Sequence, residues 1–453
     1  MASKRIVIVG GGLVGSMLAV MLGRSGHSVS VFEKRPDMRR AEISAGRSIN
    51  LALAERGIQG LKAAELYDDV EPLLIPMSGR MLHPLNEPLE FSPYGQRPHE
   101  VIYSVSRGEL NKTMLTEAEK TQNVSFTFNQ ECTAVDLGHR HADFFCHSTG
   151  GRTRIEYDIL LGTDGANSVV RDTVVKSVGG TWRTDWLDHD YKELTIPADK
   201  NGRYQMERNA LHIWPRHGYM LIALPNLGGS FTVTLFLMKT GDPSFERLTD
   251  GESLQVFFRE QFPDALDLIP ELYDDFFNNP TGVLGTVRCS RWTNGQDALL
   301  LGDSAHAIVP FHGQGMNAGF EDCRILLELL RDNKFNWPET MLAFEAARAA
   351  NADAIADMAL ENYVIMRDAV LDHRFQLKKV LGFELERRFP DRFIPRYSMV
   401  MFHNIPYASV KQRGVIQEEI MDELIGAEND LSKVDYSKAD RLIYERLSPV
   451  ALA

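Results

Sequence analysis

The residues best suited to chemistry lie in the segment 299–323, which reads LLLGDSAHAIVPFHGQGMNAGFEDC. Asp303 directly follows a predicted buried strand, where the hydroxyl group of a ligand could reach its carboxylate. Pro310 stiffens the backbone, and Gly313 and Gly315 allow bare backbone to approach a flat ligand. A helix predicted to begin near Gly315 would direct the positive end of its dipole at that ligand and stabilise an anion. An ordinary strand–loop–helix connection with turn glycines explains the same residues equally well.

A second motif lies near the N-terminus, where residues 5–9 form an apolar run that predicts a buried parallel strand. The sequence GGGLVG follows and matches G-x-G-x-x-G at Gly10, Gly12 and Gly15. A predicted helix then leads to a second strand that ends in Glu33. In such a unit the glycines permit a tight turn, approach of a pyrophosphate and close helix–strand packing, and the acid binds a ribose diol. Because the charge of Glu33 repels a 2′-phosphate, this site favours FAD or NAD over NADP.

Composition limits the class of protein. The 453 residues are too many for one core, which predicts two or more subdomains. A net charge of -13 argues against a general nucleic-acid binder. The four cysteines are widely spaced and match neither a metal site nor a dense disulfide framework, which fits a reducing cytosol. The N-terminus does not read as a signal peptide, and no apolar run approaches the roughly 20 residues of a membrane span. We therefore expect a cytoplasmic chain without a membrane anchor.

Several other residues could bind anions. Arg80 and Tyr94 could clamp a carboxylate through a bidentate guanidinium and a hydroxyl donor, although a surface arginine and a half-buried tyrosine explain them as well. Arg107 heads a predicted helix, where a positive charge is unfavourable unless an anion lies nearby. Asp164 ends a predicted strand and either forms a turn or orients backbone around a dinucleotide. Arg47 is either a solvated charge or a contact to a phosphate or flavin.

The elements between and after these motifs must position them. Residues 192–239 alternate or run apolar between turn signals, which predicts an antiparallel sheet. Its inward-pointing residues face either a ligand or the core; the candidates are Leu211, Met220, Ile222 and Phe236. After residue 323 the apolar spacing becomes helical. It places Asn362 and Met366 one turn apart on the same face of a helix.

Three features thus follow one another along the chain: the glycine motif with Glu33, Asp164-Gly165, and Gly302-Asp303 with the tail PFHGQGMN. In this order they resemble the FAD-dependent aromatic hydroxylases, the group A flavin monooxygenases. Further segments resemble the branch of this family that hydroxylates L-kynurenine. These are the pair Arg80 and Tyr94 with GRSINLALAERG, NALHIWP, LPNL, SFTVTLFL, VPFHGQGMN, MALENYV and FIPRYSM.

The resemblance covers most of the chain, from Arg5 to about Tyr407. Two positions depart from the family pattern, since Thr163 and Ser304 stand where alanine is more usual, and neither touches the implied chemistry. Eukaryotic members carry a membrane-anchoring tail that this chain does not show. The resemblance therefore favours a soluble, bacterial-type enzyme.

The resemblance implies a role for each matching position. The residues that would hold the ADP half of FAD are Gly10, Gly12, Gly15, Glu33 and Arg107. Asp303 would bind the ribityl chain, and Asp164 would serve both FAD and a transient encounter with NADPH. The flavin ring would be flanked by Pro310, Gly315, Met316 and Asn317. The carboxylate of L-kynurenine would bind Arg80, Tyr94, Asn362 and Tyr397. Its ring would lie among Ala52, Ile102, Leu211, Met220, Ile222, Phe236, Phe311 and Met366.

The implied reaction is hydroxylation of L-kynurenine to 3-hydroxykynurenine, with NADPH and O2 as co-substrates and a flavin C4a-hydroperoxide as the oxygen donor. Because the flavin carries the chemistry, we expect no catalytic side chain and no metal, and we assign His306 and His312 to packing or hydrogen bonding. Three alternatives remain: a hydroxylase of another aromatic acid, a flavin-binding protein without catalysis, and a nicotinamide-dependent dehydrogenase. A homodimer is also left open.

The predicted fold class is α/β. A Rossmann-like FAD-binding domain would comprise residues 1–75, 101–180 and 285–330. An inserted antiparallel β-sheet domain for the substrate would comprise residues 76–100 and 181–284. Residues 331–453 would form a C-terminal helical region.

Overall fold

The computed structural model describes residues 4–40, 50–426 and 429–450, and Arg47 therefore lies outside the described residues. The strands are β1 (Arg5–Val9), β2 (Ser28–Phe32), β3 (Asn50–Leu53), β4 (Ile75–Met77), β5 (Gly79–Leu82), β6 (Glu90–Pro93), β7 (Ile102–Ser106), β8 (Val124–Thr127), β9 (Gln130–Asp136), β10 (His141–Cys146), β11 (Arg152–Glu156), β12 (Ile159–Gly162), β13 (Trp182–Ile196), β14 (Ala210–Pro215), β15 (Met220–Pro225), β16 (Phe231–Met238), β17 (Gly282–Cys289) and β18 (Ala298–Leu300).

The α-helices are α1 (Leu13–Arg24), α2 (Glu55–Ala63), α3 (Tyr67–Val70), α4 (Arg107–Glu119), α5 (Val169–Ser177), α6 (Gly251–Gln261), α7 (Pro263–Leu266), α8 (Leu272–Asn278), α9 (Asp303–His306), α10 (Gly315–Asp332), α11 (Trp337–Val364), α12 (His373–Arg388), α13 (Arg396–Met401), α14 (Tyr407–Ile425) and α15 (Tyr436–Arg446). Short 3-10 turns lie at Glu71–Leu73, Pro310–His312 and Leu431–Lys433, and a π-helical segment, Ile365–Ala369, follows α11. The predicted α/β class is confirmed. Within the described ranges, no helix combines the length and the apolar character needed to cross a bilayer.

The chain divides into two compact units. Unit 1 comprises residues 1–74, 105–187 and 284–356, and unit 2 comprises residues 75–104, 188–283 and 357–453. The prediction had set the helical residues after 330 apart as a third region. In the two-unit division, α10 and most of α11 belong to unit 1, and α12 to α15 belong to unit 2.

Unit 1 is built on a five-stranded sheet with the order β18-β12-β1-β2-β8. All of its strand pairs are parallel, and the apolar residues 6–9 of β1 are fully buried at its centre. Parallel strands covered on both faces read as continuous apolar runs, which explains why the pattern of β1 was visible in the sequence. The three-stranded antiparallel sheet β11-β10-β9 belongs to the same unit.

A buried ionic network fixes α10 within unit 1. Arg348 on α11 donates from Nε to Asp322 Oδ1 (2.7 Å) and from Nη1 to Glu321 Oε2 (2.6 Å). Arg56 on α2 donates to the other oxygen of Glu321 at 2.6 Å. Burial raises the pKa of each carboxyl. The basic side chains around each one lower its pKa by more, Arg348 and Arg56 at Glu321 and His306 and Arg348 at Asp322, so both pKa values lie below their ordinary range. The two adjacent carboxylates thus stay ionised and tie α10 to two other helices.

The same network reaches the turn that precedes α9. Asp322 Oδ2 accepts hydrogen bonds from His306 Nε2 (2.6 Å) and from the backbone N–H of Gly302 (3.0 Å). Gly302 has φ 58° and ψ -141°, a conformation that favours glycine. After this turn, residues Asp303–His306 form the short helix α9. Its last side chain is held by Asp322.

The sheet order β17-β13-β16-β15-β14-β5-β6 includes the strands of unit 2, which are β13 from residue 188 onward, β16, β15, β14, β5 and β6. One face packs on helices α6 to α8 through a buried cluster that includes Trp214, Leu235, Phe258 and Phe262. Residues directly opposite each other share a face, so the register decides which side chains lie on the other face. That register pairs Arg80 with Leu211, Ile213 with Ile222, and Met220 with Phe236. Arg80 and the four predicted apolar residues therefore lie on the face opposite α6 to α8.

The C-terminal helices of unit 2 have a separate core. Side chains from α12, α14 and α15 pack together in a cluster that includes Leu385, Phe393, Ile420, Leu442 and Ile443. α12 begins at a cap in which the Asp372 carboxylate accepts a hydrogen bond from the N–H of Phe375. This cluster holds α12 in a defined position within the unit.

We predict that Arg348→Met lowers the free energy of unfolding of unit 1 by about 3–5 kcal/mol, because it leaves two buried carboxylates short of a cation. Urea titration followed by circular dichroism would measure the loss. Arg331→Met, which changes an exposed arginine on α10, the helix that carries the two carboxylates, should shift the free energy by less than about 0.5 kcal/mol. An equal loss of free energy in Arg348→Met and Arg331→Met would contradict this prediction.

Because the folded pKa values of Glu321 and Asp322 are depressed, their stabilising contribution is present above about pH 4.5 and is lost on further acidification.

Candidate functional site

The glycine turn between β1 and α1 has the geometry of a pyrophosphate site. Gly10 has φ +102°, and a Cβ there would lie 2.5 Å from Thr163 O. A Cβ on Gly15 would lie 2.0 Å from Gly10 O, so α1 packs directly on the strand. A Cβ on Gly12, in contrast, would meet no protein atom within 4 Å. Of the three motif glycines, only Gly12 therefore faces open space that a ligand can fill. This fits the predicted roles of the three, in which the middle glycine admits the pyrophosphate.

Glu33 lies at the end of β2, beside this turn. One carboxylate oxygen accepts a hydrogen bond from the N–H of Gly11 at 2.8 Å, and the other accepts from Arg35 N (3.0 Å) and Nε (2.7 Å). Burial raises the pKa of Glu33, and the hydrogen bonds and charge of Arg35 lower it by more, so the carboxyl stays ionised. An ionised carboxylate has lone pairs left for the hydroxyl groups of a ribose. The sequence indicated the acid but not the arginine that holds it.

Asp164 links two of the three motifs. Its Oδ2 accepts a hydrogen bond from Val169 N at 2.8 Å, at the start of α5, and its Oδ1 accepts from Ser304 Oγ at 3.0 Å. The same hydroxyl oxygen of Ser304 accepts from the N–H of Gly165 at 2.9 Å. Thr163 Oγ1 donates to Gly10 O at 2.9 Å. The two positions that depart from the family pattern therefore hold the three motifs together.

The segment around α10 presents backbone and one acidic side chain. Asp303 and Pro310 are exposed, and α10 begins at Gly315, as predicted. Asn317 is buried, and its amide is used within unit 1: Oδ1 accepts from Ala54 N (2.8 Å), and Nδ2 donates to the carbonyls of Ala52 (2.8 Å) and Gly313 (2.7 Å). Any contact of residues 315–317 with a flat ring would thus come from backbone and from Met316 rather than from this amide.

Arg107 is the first residue of α4 and is exposed. It has no ion-pair partner among the residues that the structure describes, although carboxylates pair with Arg35 and Arg39 in the same unit. Ser106 caps the helix by accepting a hydrogen bond from Glu109 N at 3.4 Å. A cation at a helix start without a carboxylate suits an anionic group of a ligand.

Unit 2 contains a buried cationic cluster formed by Arg80, Tyr94 and Tyr397. The two phenol rings stack with centroids 5.3 Å apart and an interplanar angle of 14°, and the guanidinium carbon lies 5.6 and 5.1 Å from their centroids. Arg80 is 9% exposed and Tyr94 is 5% exposed. Within the described ranges, the buried Arg80 Nε and Tyr94 OH have no hydrogen-bond partner. Buried donors without acceptors are costly, so these two groups suit a bound acceptor.

Burial raises the pKa of Tyr94 and of Tyr397, so both hydroxyls remain protonated and able to donate. Asn362 at the end of α11 is 5% exposed, and its Nδ2 lies 3.3 Å from Met366 Sδ. The predicted spacing of these two residues on one helix face is therefore present, with Met366 in the π-helical segment. Asp368 in that segment accepts a hydrogen bond from the N–H of Gly218 at 2.7 Å, which ties it to the sheet of unit 2.

The predicted ring-binding residues divide between the units. Ala52 on β3 and Phe311 belong to unit 1, and the other six belong to unit 2. Met220 and Phe236 are opposite each other on β15 and β16 and are buried, whereas Leu211 and Ile222 are partly exposed on the same face. The sheet of unit 2, in which β5 is parallel to β14 and the pairs β14–β15 and β15–β16 are antiparallel, thus supplies an apolar surface that continues from Arg80.

Sequence reasoning missed Lys379 on α12. Its Nζ donates to Ser92 Oγ, and Ser92 lies directly opposite Arg80 in the pairing of β5 and β6. The neighbouring Lys378 instead pairs with Glu418 (2.8 Å) and Asp422 (2.9 Å) on α14. The local sequence LKKV does not distinguish the two lysines, because only the packing of α12 determines which of them faces β6.

Comparison with known proteins identifies the family. The family described as FAD binding domain matches residues 4–358. A protein from Myxococcus xanthus named kynurenine 3-monooxygenase is 45% identical over 444 residues, which cover 98% of this chain and 96% of the relative. A protein of the same name from Stenotrophomonas maltophilia is 43% identical, and the match covers 98% of each chain.

Solved structures of lower identity share the fold. The tetrameric form of 2-methyl-3-hydroxypyridine-5-carboxylic acid oxygenase is 20% identical with a TM-score of 0.65, and the match covers 81% of this chain and 94% of that one. PqsL of Pseudomonas aeruginosa, in complex with 2-aminobenzoylacetate, is 19% identical with a TM-score of 0.65, and the match covers 81% and 97%. The predicted family is confirmed by the full-length relatives: the chain belongs to the kynurenine 3-monooxygenase family of FAD-dependent enzymes.

Proposed function

We propose that this chain hydroxylates L-kynurenine to 3-hydroxykynurenine with NADPH and O2, by the flavin hydroperoxide route. The observation that carries the substrate assignment is the cluster of Arg80, Tyr94 and Tyr397, in which the buried Arg80 Nε and Tyr94 OH have no hydrogen-bond partner among the described residues. An amino-acid carboxylate supplies the acceptor oxygens and the negative charge that this cluster lacks. The names of relatives that match over nearly the full chain support the same substrate.

FAD would be held in unit 1 by the glycine turn, Glu33, Arg107 and Asp303. The open space at Gly12 fits the pyrophosphate, the ionised Glu33 fits the ribose diol, and the exposed Asp303 fits a hydroxyl of the ribityl chain. When bound, FAD supplies the redox and oxygen-transfer chemistry. The protein would contribute binding, orientation and exclusion of water, and the proposal assigns no catalytic side chain.

In unit 2 the residues divide the work between the two ends of the substrate. Arg80, Tyr94 and Tyr397 would bind the carboxylate, with Asn362 assisting. The apolar sheet face that continues from Arg80 would hold the aromatic ring through Leu211, Met220, Ile222 and Phe236. Ile102 on β7 and Met366 in the π-helical segment would complete the set. A charged anchor at one end and an apolar surface at the other orient a rigid ring, which brings one carbon rather than another to the reacting oxygen.

The reaction is tested by the mass of the product after incubation with FAD, NADPH, O2 and L-kynurenine. We expect a gain of one oxygen atom that depends on NADPH. NADPH consumption without a product would indicate an enzyme for another aromatic acid, which a panel of aromatic acids would then identify. A yellow protein that consumes no NADPH under any of these conditions would contradict the proposal and indicate flavin binding without catalysis.

We predict that Arg80→Ala weakens L-kynurenine binding by about 100-fold or more, because it removes the buried cation that pairs with the carboxylate. The FAD content should not change, since the proposed FAD residues belong to unit 1. Titration of flavin absorbance with L-kynurenine measures the affinity. Arg259→Ala, an exposed arginine on α6 beneath the opposite face of the sheet, is the control and should bind as the unmodified protein does. Unchanged affinity in Arg80→Ala would remove Arg80 from the site.

We predict that Gly12→Val reduces bound FAD to less than a tenth while the protein remains folded. The backbone at Gly12 has φ -72°, which valine adopts without strain, and the added side chain enters the space assigned to the pyrophosphate. Absorbance at 450 nm measures FAD per chain, and thermal unfolding of the apoprotein measures the fold. Gly15→Ala should destabilise the apoprotein itself, because its Cβ would strike Gly10 O. Gly138→Ala, in an exposed loop, is the control and should retain both properties.

A further inference from the structure

The cationic cluster of Arg80, Tyr94 and Tyr397 in unit 2 has a second cation beside it. Lys379 on α12 donates a hydrogen bond to the hydroxyl of Ser92 on β6. Ser92 is the direct partner of Arg80 across the antiparallel pair, and opposite residues project from the same face of a sheet. The ammonium group of Lys379 and the guanidinium group of Arg80 are therefore directed to one region of that face.

Neither cation has a carboxylate partner among the residues that the structure describes. Burial, together with the positive charge of Arg80, lowers the pKa of Lys379 to about 8, and the opposing effect of Glu90 on β6 is smaller. Lys378 shows the usual alternative, since two acids on α14 pair with it and raise its pKa. Two cations that are largely removed from water and repel each other need an anion between them.

We propose that Lys379 supplies the second positive charge of the site that binds the substrate carboxylate, and that it thereby determines the preference for anionic over neutral substrates. This inference rests on the proposed function, because it takes the carboxylate of L-kynurenine as the missing anion. The other groups that face Lys379 are Ser92 and Glu90 on β6, Arg80 on β5 and the ring of Phe383 on α12. None of them except Glu90 is negative, and Glu90 is exposed.

The sign of the pH dependence follows from the lowered pKa. Below about pH 8 the free protein carries the ammonium charge, and the affinity for an anion is full. Above it the amine is neutral, so binding of the anion must recover a proton and the affinity falls by up to tenfold per pH unit. The α-ammonium group of the substrate titrates in the same range. A variant without Lys379 retains that contribution and therefore serves as the reference.

The experiment measures the dissociation constants of two ligands for the FAD-loaded protein between pH 6.5 and 9.5. The ligands are L-kynurenine and kynuramine, which has hydrogen in place of the carboxylate. At pH 7 we expect Lys379→Met to weaken L-kynurenine binding at least tenfold and to leave kynuramine binding unchanged, with the first difference shrinking above pH 8. Lys379→Arg should keep the affinity of the unmodified protein at pH 7 and lose the part of the pH dependence that belongs to Lys379. Lys378→Met is the matched control and should match the unmodified protein.

Three outcomes would overturn the inference. Equal affinity of Lys379→Met and the unmodified protein for L-kynurenine at every pH would remove Lys379 from the site. Equal weakening of both ligands would indicate a structural effect instead of recognition of the carboxylate. If the unmodified protein retains FAD and does not bind L-kynurenine, the proposed function fails and the inference fails with it, whereas the first two outcomes leave the proposed function intact. If Lys379→Met does not fold, the pH profile of Lys379→Arg decides alone.

Discussion

A charge that is removed from water needs a partner, and this constraint governs both units. In unit 1 it is met within the protein, because Arg348 and Arg56 neutralise two adjacent buried carboxylates on α10. In unit 2 it is not met at Arg80, which is buried with an unpartnered Nε and has no carboxylate partner within the described part of the chain. Other buried arginines, such as Arg171 and Arg216, donate to backbone carbonyls instead. For Arg80 we expect the counter-charge from the ligand.

The network in unit 1 also positions residues that we propose for FAD binding. Asp322 holds the N–H of Gly302 and the ring of His306, so both ends of α9 are fixed relative to α10. Asp303 starts α9 from a glycine conformation and therefore projects from a rigid turn rather than from a loose loop. Ser304 extends the same connection to Asp164. The polar groups around the nucleotide motifs are thus positioned by hydrogen bonds that do not involve the cofactor.

The sequence predicted features whose causes are local. The strand, the glycine turn and Glu33 lie within 30 residues. The space around each glycine in the structure agrees with the steric role that the motif predicts for it. Features that depend on packing between distant segments were not predictable. The amide of Asn317 is used by the backbone of residues 52–54, far away in the sequence. Lys379 differs from Lys378 only in the direction that α12 gives it, and apolar spacing does not resolve that direction between adjacent lysines.

The position of Arg80 depends on a strand register, and a hydrogen-bond chain on the opposite face fixes that register. The Glu207 carbonyl accepts from His212 Nε2 at 2.8 Å, so His212 Nδ1 accepts from His83 Nε2 at 2.9 Å. His83 Nδ1 then faces the Asp264 carboxylate at 2.6 Å, which requires one further proton shared between His83 and Asp264. This chain joins the end of β5 to β14 and α7. A slip of one residue would break this chain and turn Arg80 toward the sheet face that packs on α6 to α8. The hydrogen bonds on that face thus keep Arg80 on the side of the sheet where we propose that the substrate carboxylate binds.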